Sequence, residues 1–200
     1  MDRIFQTPVA PLFPREGSVR VMLFGEAPGP LGADKSGIPF WGDRAGRPVF
    51  RALEAAGLAL VPPAAYEDWD GARLKERGLE PILHGVALSN AFPSCPTRDG
   101  QTFRAPTDRE LASSENLNRI EHELSMAAML CPGRLRVIAM GKRAEWLIRR
   151  IEGGPVFDLF TLPHPSAQGL LQAAPAKGKG LKLADLQAGW ECRLQALLGL

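Results

Sequence analysis

The sequence is poor in cysteine, with only Cys95, Cys131 and Cys192 among 200 residues. These three lie far apart, and no CxxC pair is present. Such usage favours reduced thiols in the cytoplasm over a disulfide framework. The spacing also indicates neither a zinc nor an iron–sulfur site. We therefore expect a cytoplasmic protein without structural disulfides.

Long apolar runs are also absent, since no stretch approaches the roughly 20 residues that span a bilayer. The N-terminal segment lacks a basic region followed by an apolar one, which argues against a secretory signal. Internal repeats and low-complexity tracts are missing too. The length of 200 residues fits one domain over residues 1–200. We expect it to act as a monomer, away from membranes.

A strong charge imbalance is missing as well, because the net charge is only +2 and the pI is near 8.6. A nucleic-acid-binding protein needs a local basic patch rather than a basic total. One candidate patch lies between Leu159 and Ala184, a stretch without acidic residues that contains Lys177, Lys179 and Lys182. Taken alone, such a run is more often solvated loop charge than a DNA contact.

Four short apolar runs predict the strands of one sheet, and segments with helical spacing of apolar residues lie between them. Strands that alternate with helices form a parallel sheet covered on both faces. The predicted fold is therefore α/β, a three-layer α/β/α sandwich around a central four-stranded parallel sheet. Ligands of such sheets bind outside the carboxyl ends of the strands. The predicted strands are Arg20–Gly25, Gly85–Asn90, Leu135–Gly141 and Val156–Leu162.

A loop rich in glycine and proline follows the first predicted strand, as Gly25-Glu-Ala-Pro-Gly29 and then Gly37–Gly42. Glycine lets the backbone approach a ligand closely, and proline stiffens the loop. Glu26 in such a loop would suit the positioning of a water molecule. A turn whose glutamate caps a helix is an equally open reading of this segment. Neither a GxGxxG nor a Walker A pattern is present, so dinucleotide or nucleotide binding has little support.

Three further side chains are candidates for a site. Phe40 could stack on a nucleic-acid base, although an adjacent aromatic pair with Trp41 is more often core. Asn90 ends a strand with an amide that matches the donor and acceptor edge of uracil, or it forms a turn. His164, held between two prolines, could donate a hydrogen bond to an oxygen that gains negative charge, or it could simply pack.

Taken together and in order, these segments resemble the uracil-DNA glycosylase superfamily. Gly25–Gly29, with Gly37-Ile-Pro-Phe40 and Gly46, resembles its first motif in the form of the thermostable iron–sulfur branch. Leu162-Pro-His-Pro-Ser166 resembles its second motif. The segments between them are similar in pattern, so the resemblance covers about residues 19–170.

The resemblance implies a monofunctional DNA glycosylase that hydrolyses the bond between uracil, or a related deaminated base, and its sugar, without a metal or cofactor. Glu26 would orient the attacking water or stabilise the cationic sugar, and His164 would hydrogen-bond O2 of the departing uracil. Ala27, Phe40 and Asn90 would bind the base. The residues implied to contact DNA are Gly25, Pro28, Gly29, Ser166, Ala167, Gln168, Leu170, Lys177, Lys179 and Lys182.

The same resemblance implies that a loop over residues 167–171 enters the minor groove. Leu170 or Leu171 would then fill the gap left by the extruded base. The three lysines follow this loop, which favours DNA contact over solvated charge. No lysine in the motif loops is placed to form a Schiff base, so β-lyase activity is not expected.

The sequence departs from the iron–sulfur branch, whose cluster is held by four cysteines. No cysteine precedes the first motif, Cys95 matches one ligand position, and Ser114 stands where the fourth is expected. We therefore expect no cluster, with apolar packing in its place. Asp43 and Arg44 interrupt the first motif; Asp43 could take part in the site, or the two residues could simply pair with each other on the surface. Alternative functions are a non-catalytic module for uracil or abasic DNA, a glycosylase for hypoxanthine or xanthine, and an unrelated α/β hydrolase or nucleotide-binding domain that acts on a small molecule.

Overall fold

A computed structural model of the chain describes residues 3–199, in which four parallel strands form the main sheet. The order of its strands is β4-β1-β5-β6, and a separate antiparallel pair joins β2 to β3. All four predicted strands are present within a residue of their expected bounds. The strands are β1 (Val19–Gly25), β2 (Ala59–Leu60), β3 (Ile82–Leu83), β4 (Gly85–Asn90), β5 (Leu135–Met140) and β6 (Phe157–Leu162).

Helices occupy most of the connections between strands, as the alternating pattern predicts. No helix within residues 3–199 is long and apolar enough to cross a membrane. The α-helices are α1 (Ala33–Ser36), α2 (Gly46–Ala55), α3 (Pro63–Glu67), α4 (Gly71–Glu76), α5 (Asp108–Leu111), α6 (Ser114–Met129), α7 (Lys142–Ile148), α8 (Ala167–Ala173) and α9 (Leu183–Gly199), with a 3₁₀ turn at Pro175–Gly178.

The sheet is buried on both faces, because alternate side chains of a strand point to opposite sides. In β1, Val21 and Leu23 join one core cluster, while Met22 and Phe24 join the other. Phe50 of α2 and Trp190 of α9 belong to the first cluster, whereas residues of α6 and α7 belong to the second. The predicted three-layer α/β/α sandwich is therefore confirmed.

Trp41 is part of this core rather than of a binding surface. Its side chain is fully buried and donates a hydrogen bond from Nε1 to the carbonyl of Leu79 at 2.9 Å. Its ring packs edge-on against Phe50 and Trp69, and Tyr66 stacks on Trp69. Trp41 therefore occupies a core position, which is the more common role of such an aromatic pair.

The topology creates a crevice at the carboxyl ends of β1 and β5. The chain leaves β1 through α2 towards β4 on one side, whereas it leaves β5 through α7 towards β6 on the other. Neighbouring parallel strands whose connections diverge in this way leave an open gap beyond their ends, where ligands of open α/β sheets bind. The fold therefore places the glycine-rich loop after β1 opposite the first residues of α7.

The two-sided core makes a direct prediction for α6. Leu124 is fully buried against the sheet, whereas Met129 on the same helix is 81% exposed. We expect Leu124→Ala to lower the free energy of unfolding in urea by about 2–5 kcal/mol, because a cavity remains. Met129→Ala should change it by less than about 0.5 kcal/mol. Equal effects of the two substitutions would contradict the assigned burial of this helix.

Candidate active site

A cleft of about 510 Å³ opens at the predicted edge of the sheet. Glu26, from the loop after β1, and His164, from the segment after β6, both line it. The start of α7 forms its floor, and α8 forms one wall. The other lining residues are Gly141, Lys142, Arg143, Glu145, Thr161, Leu162, Pro163, Gly169, Gln172 and Ala173.

Glu26 is a half-buried acid at the mouth of this cleft. Burial raises the pKa of its carboxyl group, and the positive charge of Arg143 opposes the rise. The guanidinium Nε of Arg143 lies 3.8 Å from Oε1 of Glu26. The backbone carbonyl of Glu26 accepts a hydrogen bond from the amide of Phe92, which fixes the loop against the chain after β4. A carboxylate held in this way is suited to orient a water molecule or to stabilise a cation.

His164 is held as a neutral imidazole. Burial lowers its pKa, and its Nδ1 accepts a hydrogen bond from the amide of Ser166 at 3.2 Å. In the neutral ring the proton then resides on Nε2, which remains a hydrogen-bond donor. Two glycines make room for this side chain, since a Cβ on Gly141 would lie 3.2 Å from His164 Cβ and one on Gly169 only 2.9 Å away.

Phe40 and Asn90 lie together at the end of β1, where both are buried and outside the lining of the cleft. Gly25 pairs with Asn90 in the parallel ladder, and a Cβ on Gly25 would lie 2.4 Å from Phe40 Cε1 and 2.7 Å from Asn90 Oδ1. Phe40 itself has a φ of 65°, in the left-handed region that residues with side chains rarely adopt. Gly46 supports this conformation, because a side chain there would collide with the Phe40 carbonyl. Strain of this kind is concentrated at functional sites.

The side-chain amide of Asn90 is buried, with 2% exposure. Within residues 3–199, neither its Nδ2 nor its Oδ1 has a hydrogen-bond partner. A buried donor or acceptor left unpaired costs about 1–3 kcal/mol, so folded proteins seldom retain one without a use for it. Asn90 therefore presents one free donor and one free acceptor next to an aromatic ring, which is the complement of a planar ligand with both kinds of group.

A polar network on α6 holds the backbone around Asn90. The Arg119 guanidinium donates to the carbonyls of Asn90 and Ala91 at 2.9 and 3.0 Å, and it pairs with Glu123 at 2.5 Å. Glu123 is buried and accepts a hydrogen bond from the Ser89 hydroxyl at 2.6 Å. The end of β4 is thus fixed from behind, while the amide of Asn90 is left free.

Asp43 binds backbone amides of the glycine-rich loop. It does not pair with Arg44 on the surface, so the interpretation of these two residues as a surface ion pair is wrong. Its Oδ2 accepts hydrogen bonds from the amides of Gly29 and Ala33, each at 3.1 Å. Burial raises the pKa of Asp43 to about 6, although these amide bonds oppose the rise. A Cβ on Gly29 or Gly32 would lie within 2.0 Å of Asp43 atoms. These two glycines are therefore required by the carboxylate that fills the loop.

The expected loop over residues 167–171 is instead a helix. Ser166 caps α8, and its hydroxyl accepts a hydrogen bond from the amide of Gly169 at 3.1 Å. Leu170 is 3% exposed and belongs to the core, so insertion of its side chain into DNA does not fit this conformation. Leu171 is half-buried beneath Gly178. Ala167 and Gln168 are exposed at the start of the helix.

The remaining residues that were predicted to contact DNA or the base do not line the cleft. Lys177, Lys179 and Lys182 are exposed around the 3₁₀ turn after α8 and do not line the cleft. In the first-motif loop, Pro28 is buried, whereas Ala27 and Gly29 are half-exposed. The three lysines thus follow α8, which contributes Gly169, Gln172 and Ala173 to the cleft, but they do not line the cleft themselves.

Three basic residues near the site were missed by the sequence analysis. Lys142 and Arg143 line the cleft, and Arg119 supports Asn90 from behind. Lys142 also bears on the expectation that no lysine is placed to form a Schiff base. Its primary amine belongs to a residue that lines the cleft, although this residue lies outside the motif loops. The position of Lys142 and Arg143 directly after a strand end was the available signal. No local signal marked Arg119, because it acts 28 and 29 residues from its partners.

The residues around Cys95 do not fit an iron–sulfur cluster, which needs four thiolate ligands or a close substitute. Cys95 is a buried free thiol, and burial raises its pKa to about 12. Across residues 3–199, no three His, Cys, Asp or Glu side chains are grouped as metal ligands would be. Ser114 is the first residue of α6.

A buried ion pair, not apolar packing alone, anchors the segment before the first motif. Asp34 lies 3.2 Å from Lys35, and its carboxylate accepts hydrogen bonds from the amides of Phe5 and Gln6 at 2.9 Å. Ile4 is buried beside it. The expectation that apolar packing takes the place of a cluster stays a prediction.

Comparison with known proteins gives two matches. The sequence model of the family described as Uracil DNA glycosylase superfamily matches residues 13–184. A Type-5 uracil-DNA glycosylase of Thermus thermophilus is 32% identical over 102 residues, which make up 51% of this chain. The matched segment spans 39% of that relative's length. Glu26, Phe40, Asn90 and His164 all lie within the region that the family model matches.

The unpaired amide of Asn90 leads to a stability test with a matched control. We expect Asn90→Leu to leave the free energy of unfolding unchanged, or to raise it by up to about 2 kcal/mol, because an unsatisfied buried amide is removed. Asn116→Leu should lower it by about 1–3 kcal/mol, since Asn116 donates to the carbonyls of Ala91 and Leu111. Urea denaturation measures both. A comparable loss in the two variants would show that Asn90 is structural.

Proposed function

Because the chain belongs to the uracil DNA glycosylase superfamily, we propose that it is a DNA glycosylase that hydrolyses the N-glycosidic bond of uracil in DNA and leaves an abasic site. The curated relative carries the name of such an enzyme, and the match covers part of it. Placement in a branch of the superfamily stays a prediction, and so does the absence of a cofactor.

The observation that carries the proposal is the free amide of Asn90 beside the ring of Phe40. Uracil offers an acceptor at O4 and a donor at N3–H, which an amide matches with one hydrogen bond each. The aromatic ring supplies a face for the flat base. A base enters such a pocket only after it has been flipped out of the duplex, which costs least at a mismatch.

Glu26 and His164 would supply the chemistry at the neighbouring cleft. As the bond between sugar and base breaks, the sugar becomes cationic and the uracil becomes anionic. The Glu26 carboxylate would stabilise the sugar or orient the attacking water, and the neutral His164 would donate from Nε2 to O2 of the uracil. Both groups are held before substrate arrives, so little reorganisation is needed during the reaction.

DNA would lie across the carboxyl edge of the sheet. The Gly25–Gly29 loop, whose Gly29 amide is already bonded to Asp43, and the capped start of α8 at Ser166, with Ala167 and Gln168, would contact flanking phosphates. Lys177, Lys179 and Lys182 would extend this contact, and the binding would weaken as salt rises. With Leu170 in the core, Leu171 is the better candidate of the pair to approach the gap left by the base.

The decisive test is base release from single- and double-stranded oligonucleotides that carry uracil, hypoxanthine, xanthine or thymine. Alkaline cleavage reports abasic sites. We expect strand breaks at uracil with the wild-type chain. Glu26→Ala should lose turnover while it retains DNA binding, and His164→Ala should lose at least about 100-fold in rate, the cost of one transition-state hydrogen-bond donor.

The outcomes separate the alternatives. Release of hypoxanthine or xanthine without uracil would reassign the substrate, because those bases carry a similar donor and acceptor pair. Uracil-dependent binding without release at any base would leave a recognition module. Borohydride trapping of a protein–DNA adduct, lost in Lys142→Ala, would show that the lysine in the cleft forms a Schiff base and that the enzyme is not monofunctional.

A further inference from the structure

Arg143 stands at the junction of three segments that form the cleft. It is the second residue of α7, and its side chain is 37% exposed. Its Nε lies 3.8 Å from Glu26 Oε1, across the gap between β1 and β5. Its Nη1 lies 3.2 Å from Asp108 Oδ1 and donates to the carbonyl of Pro106. One guanidinium thus joins the first-motif loop, the start of α5 and the start of α7.

We propose that Arg143 is a positioning residue that keeps Glu26 ionised and directed into the cleft. The inference rests on the proposed function, in which Glu26 acts as a carboxylate. Arg143 does not need to touch the substrate for this purpose, since its charge acts through Glu26 and its other contacts fix its own place. The bonds to Pro106 and Asp108 hold the guanidinium on the side of the cleft where Glu26 lies.

The other charged or titratable groups around the cleft do not supply the positive charge beside Glu26 that Arg143 supplies. Among the residues that the structure describes, Arg143 is the basic group within ion-pair distance of the Glu26 carboxylate. Glu145, also in the first turn of α7, is itself paired with Arg149. His164 is held neutral by burial. Lys142 lines the cleft, and Asp108 faces Arg143 rather than Glu26.

Without Arg143, the burial of Glu26 would act unopposed. A desolvated carboxyl group favours its protonated form, whereas a neighbouring cation favours the carboxylate. Removing the cation therefore raises the pKa of Glu26 further. If base release requires ionised Glu26, the acidic limb of the pH–rate profile must move to higher pH when Arg143 loses its charge. Arg143→Lys retains a cation and should restore most of the original profile.

The experiment measures single-turnover release of uracil as a function of pH at low salt. Arg143→Met should shift the acidic limb upward by about one pH unit, the lower end of the effect expected for a partly exposed pair. Arg150→Met is the control, because it removes the same charge from an exposed position after α7. We expect the profile of this control to match the wild type.

Several results would overturn the proposal. One is an unmoved limb in Arg143→Met, and another is an equal shift in Arg150→Met. A change confined to KM and to the salt dependence of binding would make Arg143 a DNA contact instead. NMR titration of the carbon-13-labelled Glu26 carboxyl group gives a readout that does not depend on turnover. If the wild type releases no base, the proposed function fails, and an unchanged Glu26 titration in Arg143→Met would independently reject the coupling.

Discussion

The arrangement of the site depends on the missing side chain at Gly25. Because no Cβ stands at the end of β1, the Phe40 ring and the Asn90 amide can both lie against its backbone. Any other residue would have to displace one or both of them. The left-handed φ of Phe40 and the close contact of Gly46 with the Phe40 carbonyl belong to the same arrangement. Two residues 50 positions apart in the sequence, Phe40 and Asn90, are thereby brought together over one peptide unit of the central strand.

The polar groups around the end of β1 fall into two classes, those that are paired and those that are not. Those that support the site are fully paired: Arg119 with Glu123 and the carbonyls after β4, and Asp43 with the amides of the glycine-rich loop. The amide of Asn90 is left unpaired, and Glu26 is left facing the cleft with a counter-charge nearby. Well-satisfied networks resist rearrangement, so they can hold an unsatisfied group in a position that it would otherwise leave.

The fold was predictable because each strand is a short apolar run and helices separate the strands. The placement of Glu26, Asn90 and His164 at the carboxyl edge of the sheet could be predicted for the same reason, since each follows or ends a strand and parallel strands bring those ends together. The start of α8 was misread because Ser166 caps a helix that the motif pattern suggested was a loop. Asp43 and Arg119 bind backbone atoms remote in sequence, and a pattern of side chains carries no information about such partners.

The proposed recognition of uracil depends most directly on hydrogen bonds between the Asn90 amide and the base. That side-chain amide can be followed by nitrogen-15 NMR in Glu26→Ala, which should bind DNA without turning it over. We predict that the Asn90 NH₂ resonances shift and become protected from exchange when DNA containing uracil is added, and that the same duplex with a paired cytosine, which lacks O4 and N3–H, leaves them unchanged. Equal responses to the two duplexes, or none to either, would contradict the account and leave the free amide without an explanation.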